Sequence, residues 1–158
     1  MRSVYAIETK LGTMHVMEQN GIVKAIYLPN SMPPPLEGSP QTNLAQELNE
    51  YLEGARREFN VPFVIEGPPF HKAIWQALLL VPYGHTVTYG QLAAMIGRAS
   101  AARAVGQAMA QNPLPILVPC HRVVYGHGKK QSYAGGAEMK EHLLDMERRG
   151  RDENCAEA

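Results

Sequence analysis

Residues 88–113 read TYGQLAAMIGRASAARAVGQAMAQNP, and this stretch predicts two short helices in the second half of the chain. Thr88, followed three residues later by Gln91, has the form of a capping box and predicts the start of a short helix. A second helix is predicted from near Ser100 to about Gln111, where the following Asn-Pro pair ends it. Two short helices joined by a turn that contains glycine are typical of a helix-turn-helix, although ordinary helix packing produces the same pattern.

The second of these helices has a surface made almost entirely of small side chains. Arg103 is its one cationic side chain. A helix that reads base edges in the major groove usually carries several long polar side chains, whereas a slim helix with one arginine suits close approach to the minor groove. Small residues also allow tight helix packing, so the composition alone leaves both interpretations open.

The first part of the chain predicts an α/β domain. Three short apolar runs are joined by tight turns, of which Asn20-Gly21 is the strongest signal, and they predict a small antiparallel sheet. Apolar residues at helical spacing follow over 44–52, and Gly67-Pro68-Pro69 then breaks the chain. The expected organisation is a domain over residues 1–66, a second domain over 67–150 and a disordered acidic tail over 151–158.

The net charge of zero hides an uneven distribution. Residues 70–151 carry ten lysines and arginines against four acids, whereas residues 1–69 carry five against eight. A basic domain favours a polyanionic partner, although an excess of this size is also ordinary for a solvated surface. No apolar run reaches the roughly 18 to 20 residues of a membrane span, and no secretory signal is evident. We therefore expect a soluble protein, cytoplasmic in a prokaryote and nuclear in a eukaryote.

The run Pro119-Cys120-His121-Arg122-Val123-Val124 follows a short apolar, strand-like stretch, Ile116-Leu117-Val118. A thiolate is a strong nucleophile, and a neighbouring imidazole is the usual means of making one. The pair is a weak signal by itself. Cys120 and Cys155 are the only cysteines, and their context predicts two free thiols rather than a disulfide.

The last helix predicted, over 137–149, places one carboxylate on its apolar face. Glu147 falls between Leu143 and Leu144 at 100° per residue, while the other acids of this helix lie on the opposite side. A buried carboxylate requires a partner. The alternative is a glutamate near a helix end that bends out to water.

Several motifs together carry a family resemblance that is dense from about residue 70 to 150. The cysteine run and four other stretches closely resemble the O6-alkylguanine-DNA alkyltransferases. The four stretches are Tyr89-Gly90-Gln91-Leu92-Ala93-Ala94, Ala101-Ala102-Arg103-Ala104-Val105-Gly106, Asn112-Pro113-Leu114-Pro115 and Tyr133-Ala134-Gly135-Gly136. The resemblance implies an α/β, ribonuclease-H-like N-terminal domain with a small antiparallel sheet. It also implies a mainly α C-terminal domain with a helix-turn-helix and an active-site loop.

The resemblance further implies direct-reversal DNA repair. Such a protein flips O6-alkylguanine out of double-stranded DNA and takes the alkyl group irreversibly onto its own cysteine, once per molecule; O4-alkylthymine is a further candidate substrate. Such a protein requires no cofactor. It is monomeric when free, and the resemblance is compatible both with one molecule on DNA and with several molecules that assemble there. The structural zinc of some relatives is not supported, because the first domain offers only His15 as a ligand.

Residue roles carried over from the family fall into three groups. The catalytic relay would run from Cys120 through a water to His121 and on to Glu147, with Tyr89 supplying a hydrogen bond or proton to the departing guanine. The DNA-binding residues would be Tyr89, Ala102, Arg103 and Gly106. Asn112 would hold the cysteine in place, and the guanine pocket would be formed by Val123, Tyr133, Ala134 and Gly135.

Two other functions fit parts of the pattern. A lesion sensor of the alkyltransferase-like kind keeps the pocket but lacks the acceptor cysteine, which is present here as Cys120. A Cys-His thiol hydrolase would need an oxyanion hole and would turn over repeatedly.

Overall fold

The computed structural model describes residues 1–126 and 133–157, with side chains described up to residue 152. The chain forms two compact units. The first comprises Met1–Ile65 together with Pro113–Pro115, and the second comprises the remainder from Glu66 onward. The boundary lies one residue before the predicted one. The predicted domains are uninterrupted stretches of sequence, so they do not include the assignment of Pro113–Pro115 to the first unit.

The first unit contains the expected antiparallel sheet and one helix. Its strands are β1 (Arg2–Thr9), β2 (Gly12–Gln19) and β3 (Ile22–Tyr27), paired in the order β1-β2-β3, and its helix is α1 (Leu44–Leu52). The turn between β2 and β3 has positive φ at both Asn20 (54°) and Gly21 (77°), the conformation that tight hairpins prefer. Inward-facing Met14, Val16 and Leu48 are fully buried and build its core.

The second unit contains the helices and a very small parallel sheet. Its elements are α2 (Pro69–Leu78), β4 (Val87–Thr88), α3 (Tyr89–Met95), α4 (Ala102–Ala110), a 3₁₀ turn (Cys120–Arg122), β5 (Val123–Val124) and α5 (Ala137–Glu157). The capping box at Thr88 and Gln91 is confirmed, since each side chain bonds the other residue's backbone N–H. Trp75 of α2 donates its indole N–H to the carbonyl of Ala108 in α4 at 3.0 Å, which ties these helices together.

The stretch before Cys120 is not the strand that its composition predicts. Ile116 and Leu117 form a turn, and Ile116 has a φ of 77°, in the left-handed region. A β-branched residue there costs about 1–2 kcal/mol, which the surrounding contacts must offset. Apolar runs of three residues do not distinguish a buried strand from a buried turn.

The predicted disordered tail is corrected for residues 151–157, because α5 continues without a break to Glu157. Gly150 does not end the helix. A Cβ at Gly150 would lie 2.9 Å from the Tyr83 hydroxyl, so glycine serves here for close packing. Arg151 donates to the carbonyl of Gly84 at 2.9 Å and attaches the first turn of the extension. The side chain of Cys155 and all of Ala158 lie outside the described part of the chain.

Candidate active site

Cys120 lies at the wall of a cavity of about 250 Å³ in the second unit. The cysteine is 5% exposed and is a free thiol. The cavity is lined by Tyr89, Gly106, Met109, Ala110, Cys120, Tyr133 and Ala134. Its volume lies just below the range of about 300–1,000 Å³ usual for drug-sized ligands, so it suits one small ring system. The structure thus brings together Cys120 and four other predicted site residues, Tyr89, Gly106, Tyr133 and Ala134, from four separate segments.

Two lining residues are missed by the sequence analysis. Met109 and Ala110 follow Gly106 by three and four positions on α4, so they share its helix face. That spacing is a signal that identifies them once Gly106 is placed in the pocket.

Helix α4 also carries the other predicted DNA-binding residues, and they lie outside the cavity lining. Ala102 and Arg103 are on the first turn of α4, and Arg103 is exposed to solvent. Gly135 is partly exposed and is likewise outside the lining. The small-residue face of α4 is therefore divided between the pocket at Gly106 and an open surface at Arg103.

Behind the cysteine, His121 and Glu147 form a buried pair. His121 Nε2 lies 2.8 Å from Glu147 Oε2, and the two side chains are 0% and 1% exposed. The predicted burial of Glu147 is confirmed, and the alternative of a glutamate turned to water is excluded. Because an ionised carboxylate only accepts hydrogen bonds, Nε2 carries the imidazole proton and Nδ1 is left as a proton acceptor.

The pKa values of this pair are set by burial and by their mutual contact. Burial lowers the pKa of His121, and the hydrogen bond and charge of Glu147 offset this only in part. Burial acts to raise the pKa of Glu147, but hydrogen bonds from His121 and Arg122 outweigh it and hold that pKa well below its usual range. His121 is therefore a neutral base backed by an ionised carboxylate.

Arg122, which the sequence analysis did not assign to the site, completes the environment of Glu147. Its Nε donates to Oε1 at 2.8 Å, and its Nη2 donates to Oε2 at 2.9 Å, which is a bidentate contact. Its Nη1 donates to the carbonyl of Val81 at 2.8 Å. The signal was available, since a carboxylate on a buried helix face requires a cationic partner.

Lys140 is a second buried cation that sequence reasoning missed. It is 0% exposed, and its Nζ donates to the carbonyl of Val123 at 2.5 Å. Burial lowers the pKa of Lys140 to about 8, although the neighbouring Cys120 opposes this shift. Lys140 precedes Glu147 by seven positions, or two helical turns, so helical periodicity places both on one face of α5.

The Cys120 thiol is protonated in the resting site. Burial raises its pKa to about 11, while the Asn112 side chain and the charge of Lys140 act in the opposite direction. Asn112 also donates its Nδ2 hydrogen to the carbonyl of Val118 at 3.0 Å, across the turn that contains Ile116. The cysteine thus needs a proton acceptor before it can act as a nucleophile.

Tyr133 lines the same cavity and carries a buried hydroxyl. Its hydroxyl is buried and has no hydrogen-bond partner within the described residues. Burial raises the pKa of Tyr133 well above its usual value, and the negative charges of Cys120 in its thiolate form and of Glu147 act in the same direction. The hydroxyl is therefore a neutral donor at the wall of the pocket.

The part of the chain that the structure describes contains neither a candidate metal site nor a candidate membrane span. No group of three or more histidine, cysteine, aspartate or glutamate side chains in that part of the chain could hold a metal ion. None of the helices described has the length and apolar character needed to cross a membrane.

Comparisons with known proteins agree with this geometry. Residues 69–149 match the family model described as 6-O-methylguanine DNA methyltransferase, DNA binding domain. The inducible methylated-DNA--protein-cysteine methyltransferase of Bacillus subtilis is 47% identical over 109 residues, which are 69% of this chain and 61% of that protein. The matched region thus spans less than two thirds of that relative's length.

Two further similarities extend over nearly the whole chain. The constitutive methylated-DNA--protein-cysteine methyltransferase of Bacillus subtilis is 38% identical over 152 residues, covering 89% of this chain and 92% of that protein. The crystal structure of Mycobacterium tuberculosis OGT in complex with DNA has a TM-score of 0.86 at 33% identity, with 93% of each chain covered. On this evidence the chain belongs to the methylated-DNA--protein-cysteine methyltransferase family.

Proposed function

We propose that this protein repairs DNA by direct reversal, taking the alkyl group of O6-alkylguanine irreversibly onto Cys120. The observation that carries the proposal is the position of Cys120 at the wall of a ring-sized cavity, next to the buried His121–Glu147 pair. The chain's relatives are named for this reaction. O4-alkylthymine is included as a further substrate.

The chemistry is a displacement at the alkyl carbon. His121 accepts the thiol proton of Cys120, through a bridging water as the family resemblance implies, and Glu147 stabilises the imidazolium that forms. The thiolate attacks the alkyl carbon, so that the Sγ–C bond forms as the C–O6 bond breaks. Tyr89 hydrogen-bonds the departing base and donates one proton to it, so that guanine leaves neutral. The proton that His121 took from the thiol then returns, through solvent, to the Tyr89 phenolate, so that no net charge is left. The thioether is stable, so each molecule reacts once.

Recognition of the extruded base would use the backbone as well as side chains. The amide of Ala134 would donate to the alkylated oxygen, and the Tyr133 ring would pack on the base. The carbonyls of Cys120 and Val123 would accept from the exocyclic amine. The Val123 carbonyl already accepts from Lys140, which leaves one lone pair for the substrate.

Helices α3 and α4 would act as the helix-turn-helix that binds duplex DNA through the minor groove. Arg103 would enter the base stack in place of the extruded nucleotide, and Ala102 and Gly106 would allow the helix to approach closely. The exposed position of Arg103 and the positive charge of residues 70–151 support this assignment. The ribonuclease-H-like description of the first unit is part of the same proposal, supported by its small antiparallel sheet.

Intact-protein mass spectrometry tests the proposal directly. After incubation with a duplex that carries O6-methylguanine, we expect a gain of one methyl group, located on Cys120 and saturating at one per molecule. Cys155→Ser serves as the matched control and is expected to react normally, whereas Cys120→Ala is expected to gain nothing.

The other outcomes separate the competing functions. An unchanged mass with tight binding to the lesion would assign the protein to the lesion sensors. An unchanged mass without binding would return the thiol hydrolase to consideration.

A further inference from the structure

Tyr125 is an exposed aromatic residue next to the pocket. Its ring centroid lies 5.0 Å from that of Tyr89, with 33° between the ring planes, and the residue is 37% exposed. The rings are tilted, and their separation lies in the range of about 4.5–7 Å that aromatic pairs favour. Tyr89 lines the cavity with Cys120, whereas Tyr125 is not among the lining residues. The pair therefore extends from the pocket to the protein surface.

The backbone holds these two tyrosines together. Strands β4 and β5 are parallel, and Thr88 lies opposite Val124 as the last pair of the ladder. Tyr89, the first residue of α3, directly follows β4, and Tyr125 directly follows β5, so both tyrosines lie at the same end of the sheet. Their proximity follows from the register of the sheet and does not depend on side-chain packing alone.

An exposed aromatic ring at this place has the properties of a nucleic-acid contact. A base that stacks on an aromatic side chain contributes about 1–3 kcal/mol and does so with any base, because every base has a π-face. Tyrosine offers this surface together with a hydroxyl that can donate to a phosphate oxygen. Tyr89 itself lies against α4, since a Cβ at Gly106 would be 3.9 Å from Tyr89 Cε1. Helix α4 carries Arg103, the residue assigned to the base stack, three positions before Gly106.

We propose that Tyr125 is a DNA-binding residue that contacts the duplex beside the extruded nucleotide and supports the Tyr89 ring from outside the pocket. This inference rests on the proposed function, because it assumes that duplex DNA lies over the mouth of the cavity. The partner is double-stranded DNA, and the contact is to a sugar, phosphate or base face next to the lesion.

The test compares Tyr125→Ala and Tyr125→Phe with Leu80→Ala, which removes another exposed side chain from the same unit. All variants carry Cys155→Ser, so that Cys120 is the only thiol. Three quantities are measured: affinity for a duplex by fluorescence anisotropy, the rate of methyl transfer from a duplex that carries O6-methylguanine, and the rate at which iodoacetamide alkylates Cys120. The last reports on the pocket without DNA.

We expect Tyr125→Ala to weaken duplex binding and to slow transfer from the duplex by about five- to tenfold. Its reaction with iodoacetamide should remain within about twofold of the parent. Tyr125→Phe should retain most of the affinity, and Leu80→Ala should match the parent in all three measurements.

Two results would overturn the inference while leaving the proposed function intact. Duplex binding by Tyr125→Ala equal to that of the parent would exclude a DNA contact. An equal loss in the iodoacetamide and duplex reactions would show that Tyr125 only supports the pocket. Failure of the proposed function is a different outcome, because the parent protein itself would then take no methyl group from the duplex.

Discussion

Glu147→Gln tests the buried ionic cluster that supports the active site. The carboxylate accepts from His121 at 2.8 Å and from two nitrogens of Arg122 at 2.8 and 2.9 Å, and it is 1% exposed. Glutamine has nearly the same shape, but it is neutral, and an amide NH2, which only donates, replaces one of the two accepting carboxylate oxygens. The guanidinium of Arg122, only 10% exposed, then loses its counter-charge. Leaving a buried charge without its partner costs about 3–5 kcal/mol, a large share of the roughly 5–15 kcal/mol that stabilises a typical domain.

Urea unfolding followed by tryptophan fluorescence measures this loss where it occurs. Trp75 is the only tryptophan, is 2% exposed and belongs to the second unit, so its emission reports on the unit that contains Glu147. The transition midpoint should fall while the slope of the transition stays unchanged. The double variant Arg122→Met/Glu147→Gln should have a free energy of unfolding about 1–2 kcal/mol higher than that of Glu147→Gln, because it contains no guanidinium without a counter-charge.

A free energy of unfolding for Glu147→Gln within about 0.5 kcal/mol of the parent value would refute the reasoning, since that is the range of ordinary surface substitutions. Strict additivity of the stability losses of Arg122→Met and Glu147→Gln in the double variant would also refute it. It would mean that the two residues stabilise the fold independently, despite their bidentate contact.

Other positions in the second unit offer further tests by the same unfolding measurement. Gly84→Ala should destabilise the protein by about 1–3 kcal/mol more than Gly97→Ala. Both glycines have positive φ (81° and 75°), but a Cβ at Gly84 would lie 2.7 Å from a neighbouring side chain, whereas one at Gly97 meets nothing within 4 Å; equal losses would contradict this. Asn112→Ala should cost about 1 kcal/mol, through its lost bond to Val118, and slow methyl transfer; an unchanged transfer rate would argue against a positioning role. The pKa of Glu147 is held below its usual value, so the contribution of its carboxylate to stability is complete above about pH 4.3 and is lost progressively as the pH falls below that value. The Glu147→Gln variant should therefore lack this part of the acid unfolding transition. Identical acid unfolding of the variant and the parent would exclude the assignment.

Much of the fold is predictable because its signals are local. The turn at Asn20-Gly21 and the capping box at Thr88 require only residues that are near in sequence, and both are present in the structure. The burial of Glu147 is predictable for a similar reason, because helical periodicity alone places it on the apolar face of α5.

The remaining features depend on contacts between distant segments. Long cationic side chains are usually solvated, so Arg122 and Lys140 are not expected inside the unit until the carboxylate and the carbonyl that they bind are known. The continuation of α5 past Gly150 is similar, because it is supported by the packing of that glycine on Tyr83. The turn at Ile116 is a third case, since nothing in three apolar residues specifies a positive φ.

The 3₁₀ turn that carries Cys120, His121 and Arg122 has a consequence for protein engineering. With three residues per turn, consecutive side chains point about 120° apart, and here one faces the cavity while the other two reach the carboxylate of Glu147. A point substitution within the tripeptide alters one of these directions. Inserting or deleting a single residue just ahead of it would instead rotate all three side chains together by a third of a turn. The tripeptide can therefore be transplanted into another scaffold only as an intact unit of fixed length. It must be accompanied by a helix that places a carboxylate within hydrogen-bond distance of the second and third side chains.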